Sequence, residues 1–123
     1  HATVAPEEFA REARLVHEVL RQCAPRRRTV LFFSSASFAV YGATGTLCTE
    51  EDHLVAPPSG YGRNKLALES AIRDSGAPHL ILRLSHLVGR HQRAHQLLPG
   101  LTRQVRAGAV HVRQGVHRDL LDV

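Results

Sequence analysis

The stretch "YGRNK", residues 61 to 65, places the only lysine of the chain, Lys65, four positions after Tyr61, one of two tyrosines. Residues four apart on a helix share a face, so this phenol and this ammonium project side by side if the segment is helical. An ammonium beside a phenol favours the phenolate and makes the tyrosine usable as a proton donor and acceptor. The compact lysine head also donates to the hydroxyls of a bound ribose, for which the wider guanidinium fork needs a different geometry. In a chain that otherwise takes arginine fifteen times, the single lysine marks a requirement for the ammonium. A surface lysine following a helix-start aromatic is the plainer account of so short a pattern, and the surrounding sequence has to decide between them.

The elements that would position this pair follow from periodicity. From Pro6 to Cys23 the apolar residues Phe9, Ala13, Val16, Leu20 and Cys23 step by three or four, with acids early and basic residues late, which predicts a helix. "TVLFFS" (29–34) is a continuous apolar run without alternation, as expected of a parallel strand buried on both faces. A long loop with Gly42, Gly45, Pro57, Pro58 and Gly60 leads to a helix from about Tyr61 to Ser75, closed by Gly76. "HLILRL" (79–84) predicts a second buried strand, followed by a loop. "QLLPGLTRQVRAG" (96–108) predicts a helix in which Pro99 marks the first turn or a kink. "VHVR" (110–113) predicts a short strand, and "LLDV" (120–123) the start of another element. Alternating helices and strands predict an α/β fold with a doubly wound parallel sheet and right-handed crossovers. Ligands of such sheets bind beyond the carboxyl ends of the strands, where the loops starting at Ser34 and Ser85 belong.

Composition narrows the classes. A chain of 123 residues holds one small domain or part of one, and 43% apolar with 22% charged residues is the balance of a folded protein. No run approaches the roughly 18 apolar residues needed to span a bilayer, and the first residues lack a signal-peptide pattern, so no membrane and a cytoplasmic setting are expected. Cys23 and Cys48 form no C-x-x-C pair and are expected to be reduced thiols. The net charge of +5 and the triplet Arg26-Arg27-Arg28 raise the question of nucleic acid. Only six aromatics and no base-stacking motif accompany them, so a solvated basic connection is expected, with no nucleic-acid partner. His91 and His95 have the spacing of a zinc-binding helix, but H-E-x-x-H is missing and Arg90 and Arg93 flank them, so no metal is expected.

"VLFFSSASFAVYG", "PPSGYGRNKLALE", "LILRLSHLVG" and "HRDLLDV", in that order, cover nearly all the chain from Thr29 onward. In these pieces it resembles the extended short-chain dehydrogenase/reductases, specifically the NAD-dependent epimerase/dehydratase family acting on sugar nucleotides. The resemblance implies part of a Rossmann-like fold, its C-terminal half. It also implies NAD or NADP as cofactor and a Ser-Tyr-Lys triad. Tyr61 would exchange a proton with a sugar hydroxyl or carbonyl, and Lys65 would hold the nicotinamide ribose. The triad serine would hydrogen-bond the same sugar oxygen. Counting back from Tyr41 makes it Ser37, with Ser35 in reserve at the cofactor, while Ser34 is structural. Leu84 and Leu87, flanking the loop that passes the nicotinamide, are further cofactor residues. Arg118 matches an arginine on the substrate pyrophosphate. His86 stands where the family offers an asparagine to the substrate, which leaves the sugar open.

By the same resemblance, residues 1–123 form a single partial NAD(P)-binding domain whose substrate region starts at about residue 86. Phe38 and Ala39 stand where the family's 4,6-dehydratases carry an acidic pair, which leaves epimerisation or reduction of a keto sugar. The family's glycine-rich cofactor turn has no counterpart, because "GATG" (42–45) lacks the third glycine and opens no helix. Nor does a family asparagine of the first helix, since Asn64 is the only asparagine. The chain is therefore expected to be an internal piece of a longer enzyme, inactive alone, with a homodimer possible in the full protein. The alternative is a non-catalytic Rossmann-like binding module that keeps the fold.

Overall fold

The computed structural model describes residues 5–36, 59–112, 114–115 and 119–123. Its elements, in chain order, are α1 (Pro6–Cys23), β1 (Val30–Ser35), α2 (Gly60–Asp74), β2 (His79–Leu84), β3 (His86–Val88), α3 (Leu97–Arg106) and β4 (Leu120–Asp122). The chain divides into two units, residues 1–84 and 85–123.

In the first unit β1 and β2 pair in parallel, with Val30 opposite His79 and Ser35 opposite Leu84. Helix α2 makes the crossover between them, the βαβ arrangement that parallel pairing demands. α1 starts with Pro6, whose missing N–H costs nothing in a first turn, and carries Glu7 and Glu8 there and Arg21 in the last turn. The exposed arginine triplet forms the turn after α1, where Arg26 donates to the Gln22 carbonyl at 3.0 Å and Arg27 takes a positive φ. α2 is capped by Ser59, whose hydroxyl accepts from the Gly62 amide at 3.0 Å, and it ends at Gly76, whose φ of 72° only glycine adopts without strain.

Leu20 of α1, Val30 of β1, Ile72 of α2 and Ala77 form the core, with Val16, Cys23, Ala24, Phe32 and Ile81 packed around it. Both helices therefore cover the same face of the sheet. This corrects the expectation of strands buried on both faces: Leu31 and Phe33 are 53% and 55% exposed, and Leu80, opposite Leu31, is exposed as well. The apolar run of β1 hid an alternation, because its outward positions are as apolar as its inward ones.

In the second unit β3 and β4 pair in parallel, His86 opposite Leu120 and Val88 opposite Asp122. Gly89 follows β3 where a Cβ would stand 2.8 Å from the Val123 carbonyl oxygen, so only glycine fits. Pro99 lies in the first turn of α3 and produces no break. The expected strand at 110–113 is not found: 110–112 take no regular structure, Val112 is largely exposed, and Arg113 lies outside the described residues. With no partner strand beside it among the described residues, apolar alternation alone does not make a ladder. The stretch 86–88, expected as loop, is a strand instead.

The α/β class and the parallel strands agree with the sequence reading, as part of a Rossmann-like fold. No described helix is long and apolar enough to cross a membrane.

Candidate active site

The Ser59 cap fixes where α2 begins and so sets Tyr61 in its first turn and Lys65 one turn later. As the spacing predicts, the two meet: the Lys65 ammonium stands 5.6 Å from the centre of the Tyr61 ring. It also stands 5.1 Å from the centre of the Phe32 ring, which β1 presents from the helix-facing side of the sheet. Both rings offer their electron-rich faces to a cation. The Lys65 side chain is only 11% exposed, while Tyr61 is 39% exposed at the helix start. The phenol is thus open to a ligand, and its cationic neighbour is shielded from water.

A carboxylate on α1 completes the surroundings of Lys65. Glu12 accepts from the ammonium at 2.6 Å through Oε1 and from the Asn64 side-chain amide at 2.9 Å through Oε2. Desolvating an ammonium is costly unless a counter-charge and hydrogen bonds compensate, and Glu12 supplies both.

A second carboxylate, Glu69, is fully buried on the inner face of α2. Arg83 of β2 donates to it through Nε at 3.0 Å and Nη2 at 2.6 Å, and Arg73 adds a contact at 3.0 Å. Burial pushes this carboxyl up, but the Arg83 fork, Ser34 and Arg73 outweigh it and hold the group below its ordinary value. Ser34 Oγ, buried at the end of β1 with no partner in hydrogen-bond geometry among the described residues, lies close enough to contribute. The network ties the helix that carries Tyr61 and Lys65 to the strand that ends at Leu84.

Of the other residues read from sequence, Ser35 and Leu84 face each other across the two strand ends, and the Ala36 amide donates to the Leu84 carbonyl at 2.9 Å. His86 and Leu87 lie on β3 in the second unit, the His86 amide donating to the Asp119 carbonyl at 3.1 Å. Ser37 and Arg118 lie outside the described residues, as does "GATG". His91 and His95 sit on turns before α3, not on a helix. Among the described residues no three His, Cys, Asp or Glu side chains gather to hold a metal.

Sequence reasoning passed over Glu12 and Glu69, although both carried a signal. Glu12 falls between Phe9 and Val16 on the inward stripe of α1, and Glu69 lies four places after Lys65 and three before Ile72 on that of α2. A carboxylate inside an apolar stripe needs a cationic partner from another element.

The model of the NAD dependent epimerase/dehydratase family matches residues 2–123 of the chain. Comparison with curated proteins gives no match.

Proposed function

The chain belongs to the NAD dependent epimerase/dehydratase family, and on that premise we propose that it serves a nucleotide-sugar epimerase or 4-ketoreductase in which Tyr61 carries the proton. A nicotinamide cofactor follows from the family; NAD and NADP are both open to this reading. The observation that carries it is the Lys65 ammonium 5.6 Å from the Tyr61 ring, at a tyrosine open to a ligand.

The donor set fits a nicotinamide nucleotide. Among the described residues Lys65 commits one N–H to Glu12, which leaves the others for paired ribose hydroxyls. When bound, the cofactor supplies the centre that accepts and returns hydride. Tyr61 Oη takes the proton from the substrate hydroxyl, or gives one to its carbonyl, and the Lys65 charge stabilises the oxygen while it lacks that proton. Ser37, or Ser35 in its place, donates to the same sugar oxygen. Leu84 and Leu87 are assigned to the cofactor, His86 to the sugar and Arg118 to the substrate pyrophosphate. Phe38 and Ala39 after Ser37 provide no acid-base pair for dehydration. A cytoplasmic setting belongs to the same reading.

Incubating the full-length enzyme that carries residues 1–123 with nucleotide sugars, cofactor and a product-resolving separation tests the proposal. Epimer formed without net cofactor change identifies an epimerase. Stoichiometric cofactor oxidation on a keto sugar identifies a reductase, and neither outcome across both cofactors overturns the reading. The second reading, a non-catalytic binding module, draws on His86 standing where the family has asparagine. It expects ligand binding without turnover.

A further inference from the structure

We propose that Glu12 is the positioning residue of the site, holding the Lys65 ammonium against the Tyr61 ring. The inference rests on the reading of Tyr61 and Lys65 above and adds a residue from a different helix to it.

Three observations carry it. The contact is direct, an oxygen of Glu12 lying 2.6 Å from the ammonium, the short distance of a charge-assisted hydrogen bond. The carboxylate is itself fixed, because its second oxygen accepts from Asn64, the neighbour of Lys65 on α2. Finally, the lysine it holds is 11% exposed while Glu12 is 31% exposed. Water therefore satisfies little of the ammonium, and the carboxylate provides its principal polar partner among the described residues.

Geometry makes the consequence specific. A lysine side chain has four rotatable bonds and spreads over many rotamers unless its head is anchored. Phe32 and Tyr61 confine the head between two rings, but ring faces attract a cation without fixing its direction. Glu12 fixes it. The anchor comes from α1, which also approaches the start of α2, where Phe9 lies 3.5 Å from the place a Cβ on Gly60 would take. A single α1–α2 contact zone thus sets both the position of Tyr61 and the direction of Lys65.

The chain's single lysine makes a direct test available, because amine acylation reports on Lys65 alone once the peptide carrying it is followed by mass spectrometry. In Glu12→Gln the amide keeps the shape and loses the charge. At a fixed mildly alkaline pH, acylation of Lys65 by an acetyl N-hydroxysuccinimide ester is expected to accelerate about tenfold over the parent, the equilibrium weight of one charged hydrogen bond. Glu12→Asp, which keeps the charge on a shorter arm, should fall between the two. It also serves as the test variant if Glu12→Gln does not fold. Lys65 reactivity unchanged in a folded variant, or lower than in the parent, overturns the proposal. The readout needs no turnover. A protein in which Tyr61 proves dispensable but Glu12→Gln still unmasks Lys65 refutes the catalytic reading alone, and the reverse result refutes only the role of Glu12.

Discussion

Arg83 of β2 grips both carboxylate oxygens of Glu69, Nε on Oε1 at 3.0 Å and Nη2 on Oε2 at 2.6 Å, and so fastens the strand to the helix that carries Tyr61. Glu69 is fully buried, whereas Arg73, its other partner, is half exposed. Arg83→Met leaves a buried carboxylate with only the half-exposed Arg73 and the nearby Ser34 and is expected to cost about 3 kcal/mol in urea denaturation. Removing both charges, Arg83→Met with Glu69→Leu, leaves no orphan and should cost less than the single change. A double variant as unstable as the sum of the two singles would show that the pair does not act as a unit.

The same network gives stability a pH dependence of known sign. The folded Glu69 carboxyl lies below its ordinary value of 4.5, so the unfolded chain binds its proton first as pH falls. Its contribution is fully present above that ordinary value and is lost as pH falls through the lowered one. In Arg83→Met the largest of the contacts that lower this carboxyl is gone, and the loss of stability on acidification should become shallower. Denaturation midpoints measured across the acid range check this; identical slopes would speak against it.

In the second unit, Gly89→Ala would drive a Cβ to 2.8 Å from the Val123 carbonyl oxygen, a backbone atom that cannot swing away. The Val123 amide donates to the Val88 carbonyl at 3.0 Å in the same place. Hydrogen exchange at that amide is expected to accelerate about tenfold in the variant, as local opening becomes easier. Unchanged exchange would mean that β3 and β4 tolerate the bulk.

The fold was legible wherever a single helix face or strand run carried the signal. The spacing Phe9, Val16, Leu20, Cys23 located α1, and "HLILRL" located β2 to the residue. What the sequence concealed depended on partners. Leu31 and Phe33 read as buried because they are apolar, yet α1 and α2 pack on the other face. "HLV" became a strand because "LLD" pairs with it, while "VHV" has no such neighbour among the described residues. At the site, the i, i+4 spacing was enough to bring Tyr61 and Lys65 together. Glu12, more than fifty residues earlier, joins them only through helix packing.

The triad hydroxyl separates by substitution. Ser37→Ala is expected to reduce turnover about 10²-fold, the cost of losing one donor to a charged oxygen. Ser35→Ala should act mainly on cofactor affinity. Comparing kcat and KM for the two variants decides the assignment, and a larger kcat loss in Ser35→Ala would transfer the role to that residue.

The central claim is that the phenol of Tyr61 moves the substrate proton. Its most direct test is Tyr61→Phe in the full-length enzyme, assayed for hydride exchange between nicotinamide cofactor and nucleotide sugar, with folding checked by denaturation. The account predicts a fall of about 10²–10⁴-fold with stability nearly unchanged. Exchange at the parental rate in the phenylalanine variant would contradict it.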